Sequence, residues 1–128
     1  MAKKKLMIIG GGMAGMVSAI IAAEAGAKVT LLERNDKIGK KLLVTGNGRC
    51  NISNQCVGPE KYHSRTENIF ETIYRQFDLR KTRDFLTSIG IDLVELEDGK
   101  LYPQSLQAVS VVKALLYRAE EVGVEIHY

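Results

Sequence analysis

The sequence predicts an α/β fold in which parallel strands form half of a doubly wound sheet, in the order third, second, first. Three observations predict it: an apolar run at residues 6–9, a glycine-rich turn directly after it, and a second apolar run that follows an alanine-rich helix. A continuous apolar run without polar alternation is typical of a strand buried on both faces of a parallel sheet. We therefore expect a Rossmann-like βαβ unit over residues 1–34.

The turn after the first strand carries the spacing G-x-G-x-x-G at Gly10, Gly12 and Gly15. In this motif the glycines permit a tight turn, backbone approach to a pyrophosphate, and close packing of the helix on the strand. The helix is expected to begin near Met13, and its unsatisfied N–H groups favour an anion at the turn. Glu33 closes the second strand, close to the offset of about 20 residues at which an acid binds a ribose 2′-hydroxyl. These residues predict a dinucleotide site and leave open whether the ligand is FAD or NAD.

The amino-acid composition and charge are those of a globular domain and argue against nucleic-acid and membrane partners. The 128 residues carry a net charge of +3, with 45% apolar and 26% charged residues, which is ordinary for a globular domain. Lysines and arginines are scattered among acids without a basic stripe interleaved with aromatics, so we expect no nucleic-acid partner. We interpret the lysine-rich residues 1–5 as a solvent-exposed basic tip before the first strand. They are not predicted to begin a signal peptide, because the apolar run after them is too short. We expect a cytoplasmic protein with no membrane partner.

The cysteines and histidines predict no metal site. Cys50 and Cys56 form neither a C-x-x-C pair nor a four-ligand zinc pattern, and neither His63 nor His127 completes one. We expect two free thiols, with a redox-active dithiol as the less favoured alternative.

A polar, glycine-rich run at residues 45–54 is the second informative stretch. Gly46 and Gly48 flank Asn47 and permit positive φ angles, so the backbone can turn sharply and present N–H groups into a concavity. Lys40, Lys41 and Arg49 add cationic donors on either side. Such a loop suits a phosphate or an electron-rich ring, and an exposed surface loop is the alternative.

Together, the glycine turn, the pair Glu33-Arg34, residues 39–43 and the run Thr-Gly-Asn-Gly-Arg-Cys-Asn-Ile-Ser-Asn at 45–54 resemble one family. It comprises bacterial flavoproteins known as NAD(FAD)-utilising dehydrogenases, which include aminoacetone oxidases and are related to the glutathione-reductase type of FAD-binding fold. The resemblance implies FAD as cofactor, hydride transfer through the flavin, a small-molecule substrate, and NAD(P)H as a candidate electron donor. Family members are several times longer, so it also implies that the chain is an amino-terminal fragment.

By matching position, the resemblance assigns residues to the parts of FAD and assigns no catalytic residue. The pyrophosphate would be held by Gly10, Gly12, Met13, Ala14 and Gly15. The adenosine ribose would be held by Glu33, with Arg34 and Lys41 along the adenosine and phosphate side. The run toward the flavin would comprise Thr45, Gly46, Asn47, Gly48, Arg49, Cys50 and Asn51.

The rest of the chain is divided into a flavin-side loop at residues 35–63, an excursion of helices and a hairpin at 64–104, and a last helix and strand at 105–128. In the excursion, a capping-box pattern at 64–67 predicts the start of one helix and Asp78 caps a second. Asp98-Gly99 predicts a two-residue hairpin turn. Ser105 is expected to begin the last helix, with its apolar face at residues 106, 109, 112, 115, 116, 119 and 122. The final strand should lie parallel beside the second, which leaves the first strand at an exposed, incompletely covered edge.

Three functions remain open from the residues. The first is the FAD-binding part of a flavin-dependent oxidoreductase. The second is a non-catalytic module that binds an adenine dinucleotide, and the third is an NAD-dependent dehydrogenase. The loop at residues 46–51 favours the first, because a site for the ADP moiety alone would not need it.

Overall fold

The computed structural model describes residues 2–128, so Met1 of the predicted basic tip lies outside the described residues. The strands are β1 (Lys5–Ile9), β2 (Lys28–Leu32), β3 (Ser53–Asn54), β4 (Leu93–Glu95), β5 (Lys100–Pro103) and β6 (Glu125–His127). The α-helices are α1 (Met13–Glu24), α2 (Ile69–Gln76), α3 (Leu79–Ser88) and α4 (Ala108–Glu121). The chain forms two compact units: one joins the chain up to Cys50 with Ser105–Tyr128, and the other is Asn51–Gln104. No helix within residues 2–128 is long and apolar enough to cross a membrane.

The first unit is built on a parallel three-stranded sheet in the order β1-β2-β6. Ile8 of β1 is opposite Leu31 of β2, which is in turn opposite Ile126 of β6. Both neighbouring pairs are parallel, as is usual for strands joined by helical crossovers. The predicted strand order, third-second-first, is therefore confirmed.

The core of the first unit lies between this sheet and the helices α1 and α4. Val29 and Leu31 of β2 are fully buried, and so are Met16 and Ile20 of α1. Slim side chains such as Ala19, also fully buried, let α1 approach the strands closely. The alanine-rich helix of the sequence thus packs directly on the βαβ strands.

The predicted start of the last helix was wrong, and its predicted apolar face is confirmed only in part, because residues 112, 115 and 119 are buried whereas Leu106 is 38% exposed. The helix begins at Ala108, because Leu106 has a φ of 53° and the hydroxyl of Ser105 accepts a hydrogen bond from the amide of Gln107 at 3.3 Å. This local turn takes the place of a first helical turn. Val109, assigned to the apolar face, is 48% exposed. The buried positions of α4 are Ala108, Val111, Val112, Leu115 and Ala119.

The first strand lies at an edge of the sheet, as expected. Side chains alternate along a strand, and the residues of β2 that oppose Met7 and Ile9 are Thr30 and Leu32, not the fully buried Val29 and Leu31. Met7 is 64% exposed and Ile9 is 86% exposed. On the other face Ile8 is half-buried and Leu6 is 43% exposed, so the apolar run that suggested burial on both faces is only partly covered on either face in the described residues.

The second unit contains an antiparallel sheet in the order β3-β5-β4. The hairpin prediction is confirmed: Asp98 and Gly99 have φ angles of 56° and 71°, and the amide of Lys100 donates to the carbonyl of Glu97 across them. Positive φ at both central positions is the geometry of a type I′ turn. The short strand β3, opposite β5, lies in the segment that the sequence analysis treated as loop.

The helices of the second unit were predicted with mixed success. Asp78 caps α3, because its carboxylate accepts a hydrogen bond from the amide of Lys81 at 2.9 Å. The capping box at 64–67 was wrong: Ser64 accepts from the amide of Thr66 at 3.0 Å in a local turn, and α2 begins only at Ile69. No residue of α2 is buried, so its aromatic side chains pack beside the core rather than within it.

Candidate functional site

The glycine turn lies between β1 and α1 and is held to the end of β2. Gly10 has a φ of 103°, and its amide donates to the carbonyl of Leu32 at 2.7 Å. Gly12 is the N-cap residue, and the first hydrogen bond of the helix runs from the amide of Met16 to the carbonyl of Gly12 at 2.9 Å. The amides at positions 13–15 precede this bond and have no intrahelical acceptor. They are placed to bind an anion at the positive end of the helix dipole.

The glycines of the turn have different physical tasks. A Cβ at Gly15 would overlap the carbonyl oxygen of Gly10, so only glycine lets the helix pack this closely against the turn. A Cβ at Gly12 would meet no atom within 4 Å, and its φ of −80° is open to any residue. Gly12 is therefore not required by the protein's own packing. The open space beside it fits a diphosphate that approaches the backbone closely.

Glu33 follows β2 and reaches back to the glycine turn. Its backbone amide donates to the carbonyl of His127 at 2.8 Å, which fixes the chain at the carboxyl end of the sheet. One carboxylate oxygen, Oε2, accepts from the amide of Gly11 at 2.6 Å. The other, Oε1, accepts from the backbone amide and the side-chain Nδ2 of Asn35, at 2.8 and 2.6 Å.

These donors determine the protonation of Glu33. Hydrogen bonds from the amides of Asn35 and Gly11 lower the pKa of the Glu33 carboxyl below its usual value of 4.5, and they outweigh the opposing effect of desolvation. The carboxylate is therefore ionised at neutral pH and acts as an acceptor. A negative charge held at the end of β2 suits a ribose hydroxyl and disfavours a phosphate at that place.

Ile38 and Gly39 pack against the glycine turn, a contact that the sequence analysis did not predict. Ile38 is 1% exposed, and a Cβ at Gly11 would overlap its Cδ1. The amide of Gly39 donates to the carbonyl of Gly11 at 2.9 Å, and the amide of Leu43 donates to that of Gly39 at 3.1 Å. These bonds connect the glycine turn to the polar loop that follows. The only hint of this contact in the sequence was the glycine at position 39, which adopts a positive φ of 68° in the structure.

The polar loop is as sharply turned as the sequence suggested. Gly46, Asn47 and Gly48 have φ angles of 55°, 57° and 78°, at the end of the short 3₁₀ segment Leu42–Gly48. The turn is closed by hydrogen bonds from the amides of Arg49 and Cys50 to the carbonyls of Gly46 and Thr45, at 3.1 and 3.0 Å. The Nε of Arg49 also donates to the carbonyl of Gly46, at 3.3 Å. The loop is thus a defined structure rather than a loose surface connection.

The two cysteines differ in environment and are both free. Cys50 is 1% exposed, and burial raises the pKa of its thiol, although a hydrogen bond with Thr45 acts in the opposite direction. Its side chain therefore packs in the interior, and only its backbone is available to a ligand. Cys56 is exposed. Within residues 2–128 no three histidine, cysteine, aspartate or glutamate side chains are grouped to hold a metal ion.

All predicted site residues except Asn51 lie in the first unit. Arg34 and Lys41 are exposed there, and they stay predictions as adenosine and phosphate contacts. Asn51 begins the second unit and lines a cleft of about 660 Å³. The other lining residues include Ser53, Asn54, Cys56, Lys61, Tyr62 and Asp98.

Comparison with known proteins agrees with this geometry. Residues 4–128 match the family model described as "HI0933-like protein Rossmann domain". The chain is 38% identical over 125 residues to the 3-dehydro-bile acid delta(4,6)-reductase of Clostridium scindens, and 32% identical over 118 residues to the ribosomal RNA dihydrouridine synthase of Escherichia coli. The matches cover 96% and 92% of this chain but 30% and 29% of the relatives' length.

A solved structure supports the fold alone. The 3-ketosteroid-delta4-(5alpha)-dehydrogenase of Rhodococcus jostii superposes with a TM-score of 0.67 at 18% identity. The superposition covers 98% of this chain and 38% of the dehydrogenase. The βαβ unit and the second unit therefore occur together in a longer enzyme of known structure.

Proposed function

The chain belongs to the family of HI0933-like protein Rossmann domains, whose cofactor is FAD, and we propose that it carries the adenosine and pyrophosphate site of a flavin-dependent oxidoreductase. It spans about 30% of the length of its relatives. The activity of the whole protein is thus a proposal that extends beyond these residues. The observation that carries it is the meeting of the glycine turn with Glu33, through the 2.6 Å hydrogen bond to Gly11.

The residues of the chain have separate tasks in this proposal. The amides of Met13, Ala14 and Gly15 at the start of α1 would bind the pyrophosphate, because they lack intrahelical acceptors. The open space beside Gly12 would admit it, and the carboxylate of Glu33 would accept a hydrogen bond from the adenosine ribose.

Arg34 and Lys41 would contribute positive charge along the same side. When bound, FAD supplies the hydride chemistry, and the protein binds and orients it. The polar loop from Thr45 to Asn51 is proposed to extend toward the flavin end. Its closed hydrogen bonds support a fixed backbone there, with Gly46, Asn47 and Gly48 in the left-handed region.

We propose a small molecule as the substrate and NAD(P)H as the electron donor. One relative is named as a reductase of a 3-dehydro-bile acid and another as a ribosomal RNA dihydrouridine synthase, so both substrate classes deserve a test. The modest net charge of +3 favours the small molecule, since RNA-binding domains usually carry a clear basic excess. The cleft of about 660 Å³ in the second unit also has the size of a small-molecule site.

A cytoplasmic location completes the proposal. The free thiols Cys50 and Cys56 support it, because unpaired cysteines are typical of proteins in a reducing compartment. The test is fractionation of its source cells: the protein should be recovered in the cytoplasmic fraction with both thiols reduced, and recovery in another fraction would contradict the proposal.

The cofactor proposal is tested by titrating the purified protein with FAD, NAD and ADP and measuring bound ligand by calorimetry and flavin absorbance. FAD should bind with a shifted flavin band, and ADP should compete with it because both present the same diphosphate and ribose. Binding of NAD or ADP with no affinity for FAD would instead support a dehydrogenase or a non-catalytic nucleotide module.

The substrate class is tested separately. Salt-dependent binding of a ribosomal RNA fragment, measured by filter binding, would favour the RNA substrate over the small molecule. The expected result is no RNA binding at physiological salt.

A further inference from the structure

Both oxygens of the Glu33 carboxylate accept hydrogen bonds from the protein itself. Oε1 accepts two hydrogen bonds from Asn35, through its backbone amide at 2.8 Å and its Nδ2 at 2.6 Å. Oε2 accepts one, from the amide of Gly11 at 2.6 Å. An ionised carboxylate has about four lone-pair sites, two on each oxygen. Oε1 is therefore filled by Asn35, and acceptor capacity remains on Oε2.

We propose that Asn35 is a positioning residue for Glu33, which holds Oε1 so that Oε2, beside the glycine turn, is the oxygen that receives a ribose hydroxyl. This inference rests on the proposed adenosine site and adds to it a residue that neither the motif nor the resemblance assigns. Asn35 does not itself contact the ligand. It acts by fixing the orientation of the acid.

The physical reason is preorganisation. A glutamate side chain has several rotatable bonds, and binding that must first order such a side chain loses affinity. Asn35 orders it in advance, because two donors from one residue hold the same oxygen. The Gly11 amide then aligns Oε2 with the turn at which the diphosphate binds. Both ends of an adenosine diphosphate would thus meet groups that are already in place.

The arrangement also predicts selectivity. Oε2 can still accept one hydrogen bond, and a ribose hydroxyl can donate it. A phosphate ester at the same position offers an anion and is repelled by the carboxylate. The side chain of Asn35 strengthens this preference, since its hydrogen bond to Oε1 helps to keep Glu33 ionised.

The test compares two probes, ADP and 2′,3′-dideoxy-ADP, which differ only in the ribose hydroxyls. Calorimetry with the full chain gives the ratio of their affinities, which isolates the hydroxyl interaction from the rest of the site. The unmodified protein should prefer ADP by about tenfold or more, the value of a hydrogen bond to a charged group. Asn35→Ala should reduce this preference to about threefold, because one of the two donors that hold Oε1 is lost.

Asn35→Asp is the sharper variant, because it keeps the shape and the backbone amide but replaces the Nδ2 donor with a second carboxylate. We expect it to abolish the preference for ADP and to raise the pKa of Glu33, read from the carboxyl carbon signal in NMR. Because a new carboxylate beside Glu33 raises that pKa whatever the role of Asn35, the affinity ratio decides. A purely structural role of Asn35 would leave the ratio unchanged in both variants, provided that they still fold. The matched control is Asp36→Ala, at an exposed neighbour that forms an ion pair with Lys40, at 3.8 Å.

The outcomes separate this inference from the function on which it rests. If Glu33→Ala leaves the preference for ADP intact, the ribose site itself is wrong. If Glu33→Ala abolishes the preference but both Asn35 variants retain it, the adenosine site stands and the positioning role of Asn35 is overturned.

Discussion

Replacing Gly12 with valine tests whether the space beside the glycine turn belongs to the ligand. In the protein itself the change is tolerated, because a Cβ at Gly12 meets no atom within 4 Å and the backbone there is extended, with φ −80° and ψ −174°. A branched side chain is accepted in that conformation. The space that it fills is the space that the diphosphate needs.

The two effects of Gly12→Val differ widely in size. Valine is a poorer N-cap than glycine, which costs about 1 kcal/mol of stability and lowers the melting temperature by about 4 °C. A diphosphate pushed away from two of the amides at positions 13–15 loses about 1.5–3 kcal/mol for each charge-assisted bond. The summed loss, about 3–6 kcal/mol, corresponds to a decrease of roughly 10²–10⁴ in FAD affinity.

The assay for Gly12→Val pairs FAD titration by calorimetry with thermal unfolding by circular dichroism without FAD. Gly12→Ala is the graded control, because its single methyl group intrudes less and should weaken binding by a smaller factor. Unchanged FAD affinity in the valine variant would remove the glycine turn from the site. Unfolding of the ligand-free variant would refute the conclusion that the space is empty of protein.

Unlike Gly12→Val, Gly15→Ala should destabilise the protein itself, by about 3 kcal/mol without ligand, because the new Cβ would overlap the carbonyl oxygen of Gly10. An unchanged melting temperature would contradict this. For Glu33, the folded-state pKa lies below 4.5, so its contribution to stability is present above pH 4.5 and is lost as the pH falls through that lower value. Glu33→Gln should flatten this acid limb in urea-unfolding profiles, and an unchanged profile would show that the carboxylate is not held as described. Thiol titration should find Cys56 reacting at once and Cys50 only after denaturation, since Cys50 is buried and burial raises its pKa; two fast thiols in the native protein would contradict the packing.

The βαβ unit was the most predictable part of the molecule, because its signals are local and redundant. The apolar run, the three spaced glycines and the terminal acid each constrain the same βαβ unit. The hairpin at Asp98-Gly99 was predictable for a similar reason, since two adjacent positive φ angles leave few alternatives.

The helix starts were predicted wrongly where a serine side chain can form either of two local hydrogen-bonding arrangements. Ser64 and Ser105 have the sequence of helix caps, yet each accepts from the amide two residues ahead and closes a small turn instead. The helix then begins several residues later, as at Ala108. Serine supports both arrangements, and tertiary packing decides between them. The strand β3 was missed for a related reason: two residues carry no periodic signal, and only pairing with β5 defines it.

In the candidate site, too, the features set by local sequence were predictable and those set by tertiary contacts were not. The motif explains the outer glycines of the Gly10-Gly11-Gly12 triplet and treats the middle position as free. In the structure a Cβ at Gly11 would overlap Ile38 and lie 3.1 Å from Oε2 of Glu33. A side chain at that position would therefore push the acid away from the turn, or the turn away from Ile38. The middle glycine is needed first because Ile38 packs against the turn, and second because Oε2 of Glu33 binds its backbone, a contact made across 22 residues of sequence and visible only once the chain has folded.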